Sequence, residues 1–344
     1  MKPMQSLLAA VDDSGASRHA AERAAMLSAA HGAKLHLLQV LPQTLLDDLR
    51  QWLGTDHAAQ HQLRADAISR LQRLAADLGT LAGRPVEAMV TEGALLQSIC
   101  AAAEEATADL LVLGSRGNHV LSRLALGSTA ERMLRRTTRP MLVVRQKPRL
   151  AYQRLLIAVD FSPWSEPTLA LARRLTPAAR LTLIHVYQVP FEGKLRLAGV
   201  DDRSIAQYRE QARRTAQTGL RDLANRIGLH ETEYDTVIVE GDAGRLILEH
   251  EEEQDADLIV LGKHGRSAAE ELLLGSVTKQ VLAHGSGDVL VCPLGSDRVS
   301  HGAMRDPQRM KLASVASWTD SASVLPEPAA GQTPTAAPAQ RSIR

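Results

Sequence analysis

The segment Ala108-Asp109-Leu110-Leu111-Val112-Leu113-Gly114-Ser115-Arg116-Gly117, then nine residues, then Gly127-Ser128, says most about the architecture of this chain. A short apolar run bounded by Asp and Gly reads as a strand buried on both faces. The Gly-Ser pair opens a helical pattern over Ser128–Thr137, and Ser128 with Glu131 three residues on predicts a capping box at its start. A parallel strand ending in glycine brings its backbone to the carboxyl edge of an open sheet, where such folds bind ligands. Glycine lets the main chain approach oxygen atoms closely. A helix start offers unpaired N–H groups and a positive dipole end to phosphate.

The same segment returns at a constant offset of 148 residues as Ala256-Asp257-Leu258-Ile259-Val260-Leu261-Gly262-Lys263-His264-Gly265, nine residues, Gly275-Ser276. Working outward, the run from Leu7 to Asp12 falls on that from Leu155 to Asp160, and Glu92-Gly93 on Glu240-Gly241, with a local two-residue slip near Lys34 and Arg180. The economical reading is one domain present twice, over residues 1–147 and 152–295. Strands are predicted at Leu7–Val11, Leu35–Leu41, Val86–Val90, Leu110–Leu113 and Met141–Val144. In the second copy they fall near Leu155–Val159, Leu181–Val186, Thr236–Val239, Leu258–Leu261 and Val289–Val291. Helices at Ser17–His31, His57–Leu78, Leu95–Ala106 and Ser128–Thr137 alternate with them in the first copy. Alternation of this kind predicts an α/β fold: two tandem doubly wound, Rossmann-like domains, each a mainly parallel five-stranded sheet with helices on both faces. The linker Gln146-Lys147-Pro148-Arg149 is short, so the copies are expected to pack together. Residues 296–344, rich in Pro, Ala, Ser, Thr and Gln, are expected to form a disordered tail dispensable for folding, with a transient helix at most over Arg309–Trp318.

Composition narrows the function. The chain has 344 residues, 40 Lys and Arg against 39 Asp and Glu, and a net charge of +1, so no global field draws it to nucleic acid or a membrane surface. Aromatics at 3% are too few for base-stacking platforms, and place the burden of packing on Leu, Val, Ile and Ala. Cys100 and Cys292 show no pairing or metal spacing and read as small hydrophobes in a reducing compartment. Neither a signal peptide nor an apolar run of membrane-spanning length is evident, so a cytoplasmic location is expected.

Gly-x-x-Gly, nine residues, Gly-Ser resembles the motif of the ATP-binding branch of the universal stress proteins. The opening strand ending Ala-Val-Asp and the closing Leu-Val-Val or Leu-Val-Cys-Pro resemble that family as well, over residues 4–145 and 153–293. The resemblance implies domains of the adenine-nucleotide alpha hydrolase type. Asp12 and Asp160 would lie by the ribose, and Val40 with Leu113, and Val186 with Leu261, would flank adenine. Gly114, Gly117, Gly127 and Ser128 would hold the phosphates in the first copy, and Gly262, Gly265, Gly275 and Ser276 in the second. Also implied are ATP, ADP or AMP as ligand, Mg2+ bound through the phosphates, pairing of the last strands into an internal pseudo-dimer, and a homodimer as a further state.

Plainer readings stand beside these. Gly114 and Gly262 read also as turn glycines, Ser128 and Ser276 as caps, and Asp12 and Asp160 as turn residues beside Ser14 and Ser162. Val40 and Val186 are core residues on either reading. Gln39 stands where the second copy has His185, and Asp288 where the first has Pro140; neither is assigned to the pocket. His250-Glu251-Glu252-Glu253 reads as a solvated helix end, and Arg132, Arg135, Arg136 and Arg139 as complements to a helix dipole. No P-loop, no Gly-x-Ser-x-Gly elbow and no Cys-x-x-Cys occurs. No general base is placed for turnover, so no enzymatic role is expected beyond slow ATP hydrolysis. Lys263, His264 and Arg266 are candidates for neutralising phosphate, which would make the second site the tighter, with Glu131 opposing phosphate in the first. The competing class of function is a non-catalytic interaction scaffold with vestigial pockets.

Overall fold

The architecture is described from a computed structural model over residues 3–44, 47, 57–115, 127–188, 197, 200–265 and 274–293. In the first copy the elements run β1 (Ser6–Val11), α1 (Gly15–His31), β2 (Lys34–Pro42), α2 (His57–Ala82), β3 (Glu87–Gly93), α3 (Leu95–Glu105), β4 (Leu110–Gly114), α4 (Ser128–Arg136) and β5 (Met141–Val144). In the second they run β6 (Arg154–Ala158), α5 (Ser165–Leu175), β7 (Arg180–Tyr187), α6 (Asp202–Arg226), β8 (Tyr234–Glu240), α7 (Ala243–Glu253), β9 (Leu258–Gly262), α8 (Ser276–His284) and β10 (Asp288–Cys292).

The inner strands are mostly apolar because helices cover both faces of the sheet, while β3 and β8 carry Glu87, Glu92, Asp235 and Glu240. Leu7 and Ala9 pack with α1, α2, α5 and α6 on one face, while Leu8 packs with α3, α4, α7 and α8 on the other. Alternate residues of a strand point to opposite faces, so both must be apolar. The small residues Ala20, Ala21, Ala24 and Ala25 let α1 lie close on the sheet, and all are fully buried. That helix ends at Gly32, whose φ of 66° is the left-handed cap that glycine adopts without strain.

The two five-stranded sheets expected from the sequence are one sheet. Ten strands run in the order β3-β2-β1-β4-β5-β10-β9-β6-β7-β8. Neighbours are parallel within each copy, and the seam between β5 and β10 is antiparallel, with Leu290 opposite Leu142. Met141, Leu142, Val143 and Val144 are fully buried. An unpaired apolar edge strand would present a row of unpaired N–H and C=O groups, and pairing the two last strands removes that edge.

The seam is further locked by a buried polar node. Asp288, 2% exposed, accepts the Tyr152 hydroxyl at 2.6 Å and the Arg145 backbone N–H at 2.8 Å. Arg23 pairs with the same carboxylate at 3.5 Å and lies over the Tyr152 ring at 3.9 Å. Burial pushes the Asp288 carboxyl up, against the opposing pull of the Tyr152 hydroxyl, the backbone N–H groups and Arg23. The position compared in sequence with Pro140 is thus the point where linker, α1 and β10 meet.

Candidate functional site

In each copy the order of strands reverses beside its first strand, between β1 and β4 and between β6 and β9. A crevice at such a switch point, beyond the carboxyl ends of the strands, is where open α/β sheets take ligands. Register brings the expected residues there. Ala10 pairs with Leu113 and Val11 with Gln39, which sets Asp12, Val40 and Gly114 at neighbouring levels. Ala158 pairs with Ile184 and Ile157 with Val260, which does the same for Asp160, Val186 and Leu261.

The backbone of the cradle is the same in both copies. Ser115 N–H donates to Val144 O at 2.8 Å, and Gly127 N–H returns to Ser115 O at 2.6 Å. Lys263 N–H donates to Cys292 O at 2.8 Å, and Gly275 N–H returns to Lys263 O at 3.0 Å. The first residue after the fourth strand is thereby fixed to the last strand and to the start of the last helix. That helix is capped by glycine in both copies, Gly127 for α4 and Gly275 for α8, with no side-chain cap bond. The predicted capping box is therefore corrected: Ser128 is the first helical residue, and Glu131 pairs with Arg135 at 2.8 Å. Where Ser14, Asp201 and Asp242 cap other helices, a side-chain oxygen accepts a first-turn N–H. At Gly127 and Gly275 the cap has no side chain to do so.

The glycines divide by what the fold demands. A Cβ on Gly114 would lie 2.7 Å from the Ala16 carbonyl carbon, so the close passage of α1 over β4 requires glycine there. A Cβ on Gly262 would come within 3.0 Å of the Trp164 Cβ. On Gly275 it would meet nothing nearer than Lys263 O at 3.4 Å, ordinary contact, and φ is −56°, open to any residue. Packing demands glycine at 114, is tight at Gly262 and leaves Gly275 unexplained. Gly117, with Arg116, Arg266, Glu270, Glu271 and the 296–344 tail, lies outside the described residues.

The aspartates make the turns of the plainer reading. Asp12 is exposed and its Oδ1 accepts Ser14 N–H at 2.9 Å, while Asp160 Oδ1 accepts Ser162 N–H at 3.0 Å and the Ser165 hydroxyl at 3.0 Å. A turn of this kind holds the carboxylate at the strand end.

A comparison with protein-family models matches the universal stress protein family over residues 4–145 and 151–293. This chain belongs to that family. A universal stress protein of Mycolicibacterium smegmatis is 27% identical over 297 residues, covering 83% of this chain and 96% of the relative. Universal stress protein YxiE of Bacillus subtilis is 26% identical over 145 residues, 98% of its own length but 41% of this chain. The crystal structure of a universal stress protein from Archaeoglobus fulgidus superposes on 84% of this chain and 98% of its own with a TM-score of 0.62 at 22% identity, a likeness of fold. The tandem, pseudo-dimeric arrangement and the family's general role in stress response therefore hold for this protein. No helix among the described residues is long and apolar enough to cross a membrane.

As a universal stress protein with two copies of the site, the chain treats their side chains differently from what sequence suggests. The side chain of Lys263 crosses to the first copy. It is 6% exposed, and its Nζ donates to Arg135 O at 3.0 Å and Thr137 O at 3.3 Å, at the far end of α4. His264 is buried against Trp164, ring centroids 5.5 Å apart. Of the side chains expected to tighten the second site, Lys263 and His264 thus have partners of their own, and Arg266 lies outside the described residues. His185 donates from Nδ1 to Val159 O at 2.7 Å, a local tie next to Asp160. Glu251 is corrected too. Far from being solvated, it is buried and accepts Ser286 N–H at 3.0 Å and Gly287 N–H at 2.5 Å, shaping the turn before β10. The sequence signal for it existed, as Ser-Gly lies just before the last strand, but only the fold brings α7 beside it.

Proposed function

We propose that this universal stress protein binds an adenine nucleotide, with ATP preferred, at the carboxyl edge of each copy, and that the bound nucleotide sets conformation or partner choice. The observation that carries the reading is the glycine cap shared by α4 and α8, a helix start with no side-chain cap bond, and at Gly275 packing does not demand glycine. Backbone N–H groups and the positive dipole end suit phosphate oxygens. Asp12 and Asp160, held by their turns, suit ribose hydroxyls, which a carboxylate accepts. Val40 with Leu113, and Val186 with Leu261, offer apolar walls for a base. No cluster of three His, Cys, Asp or Glu able to hold a metal occurs among the described residues. Mg2+ is assigned to the phosphates, whose charge it would neutralise.

The role is binding and not turnover, since no general base is assigned near the terminal phosphate. The test is calorimetric titration of the full chain with Mg-ATP, Mg-ADP and AMP, with mass spectrometry of any small molecule released from the purified protein. Uptake of about two nucleotides per chain with tighter binding of ATP supports the reading. No heat and no change in melting at millimolar Mg-ATP rejects it in favour of an interaction scaffold.

A further inference from the structure

Lys263 has a foot in both sites. Its backbone belongs to the second cradle: its carbonyl accepts the N–H of Gly275, the cap of α8, and its N–H holds Cys292 at the end of β10. Its side chain leaves that cradle, crosses the seam and grips the C-terminal end of α4 through Arg135 O and Thr137 O. The N-terminal end of α4 is Gly127-Ser128, the open cap of the first cradle. The nine-residue helix is therefore held between its own copy's glycine cap and a lysine from the other copy's glycine loop. The carbonyl of Arg135 is among those a helix leaves without an internal partner, and a cation there also complements the dipole. A buried ammonium needs such partners, so its position is tied to theirs.

The arrangement is reciprocal in kind but not in place. Arg145, just after β5, donates to Gly285 O at 2.8 Å and to Leu282 O, so a cation of the first copy holds the end of α8. Arg145 follows the last strand, whereas Lys263 lies inside a ligand loop. Ser115, its counterpart, has no side chain long enough to make the matching contact.

We infer that Lys263 is a positioning residue for the first copy's site, and that a ligand which shifts the loop from Gly262 to Gly265 in the second copy changes affinity in the first. This rests on the nucleotide reading above. Coupling of this sort is reciprocal, so each site feels the other equally.

The test uses the full chain with Gly275→Val, which leaves nucleotide to the first site, and adds Lys263→Met, Lys263→Gln or Lys263→Arg. Mg-ATP affinity is read by calorimetry well below each variant's melting temperature. Hydrogen exchange at residues 128–137 is read in the ligand-free chain. Lys263→Met is expected to weaken binding at the first site by roughly three- to tenfold, the usual range for residues that transmit coupling, and to speed exchange in α4. Lys263→Gln, which keeps a donor on a shorter stem, should lie between, and Lys263→Arg should return both readouts toward the wild type. A lowered melting temperature with unchanged affinity would make Lys263 a stabilising strut alone and overturn the inference. Wild-type protein that binds no Mg-ATP would instead reject the nucleotide reading and the coupling with it, while exchange in α4 would still show whether Lys263 holds the helix.

Discussion

The loops Gly114-Ser115 and Gly262-Lys263 follow equivalent strands and make equivalent backbone bonds, yet their side chains are put to different uses. Ser115 stays within its own copy, while Lys263 reaches 3.0 Å from a carbonyl of the other. Around them the contrast continues. Ala16 lets α1 pass against the backbone of Gly114, whereas Trp164 stands in its place beside Gly262 and packs on His264. Asp13 pairs with Arg70 at the surface, but Phe161, its counterpart, packs on His185 with ring centroids 4.5 Å apart. Duplication has preserved what the backbone does and released the side chains to build the seam. Resemblance between the copies is therefore a guide to the cradle and a poor guide to the charges around it.

The largest effect that would test this division lies at the seam. Arg23→Met leaves the Asp288 carboxylate buried without its cation, which is expected to cost about 3–5 kcal/mol. Chemical denaturation of the full chain measures it. A loss below about 1 kcal/mol would show that the Tyr152 hydroxyl and backbone N–H groups hold Asp288 unaided.

The glycines give the next test, because the two classes should respond in opposite ways. Gly114→Ala forces a Cβ to 2.7 Å from the Ala16 backbone, an overpacking expected to cost about 1–3 kcal/mol. Gly275→Ala has room, so stability should stay within about 0.5 kcal/mol of the wild type, while calorimetry shows weaker Mg-ATP binding at that site. If Gly275→Ala unfolds the protein and leaves nucleotide affinity alone, the assignment of the two classes is reversed.

Alkaline stability probes the same seam through Tyr152. Burial first, and then the Asp288 carboxylate, hold its phenol well above the ordinary value of 10.0. A folded-state value above the unfolded one means the native protein keeps a proton the unfolded chain releases. The stabilisation is complete below pH 10.0 and is lost as pH rises beyond it, with a slope of up to about 1.4 kcal/mol per pH unit. Tyr152→Phe should flatten that slope in denaturation curves taken above pH 10.0. A slope that persists in the variant would place the alkaline sensitivity elsewhere.

The smallest expected effect is at Glu131. Sequence places its charge in competition with phosphate at the start of α4, but the side chain pairs with Arg135 along the helix. Glu131→Gln is expected to cost about 0.3–0.5 kcal/mol and to change Mg-ATP affinity at the first site less than about twofold. A marked tightening would restore the competition that the ion pair argues against.

The sequence by itself determined the repeat and the strand and helix pattern, while the gathering of Asp12, Val40, Leu113 and Gly114 at one sheet edge was implied by the family resemblance. The pattern rests on local periodicity, and alternation of apolar strands with amphipathic helices admits few topologies. Which glycine is demanded by packing was not legible, because Gly114 and Gly275 read alike until the close approach of Ala16 to one and the ordinary contacts at the other are seen. The joining of two sheets into one was implied only by the family resemblance, since it depends on a pairing between residues far apart in the chain, such as Leu142 with Leu290. The fates of Lys263, Glu251 and Asp288 were not legible either. Nothing in the sequence marks these charged side chains as buried, and only the tertiary structure supplies the carbonyls, N–H groups and hydroxyl that make burying them tolerable.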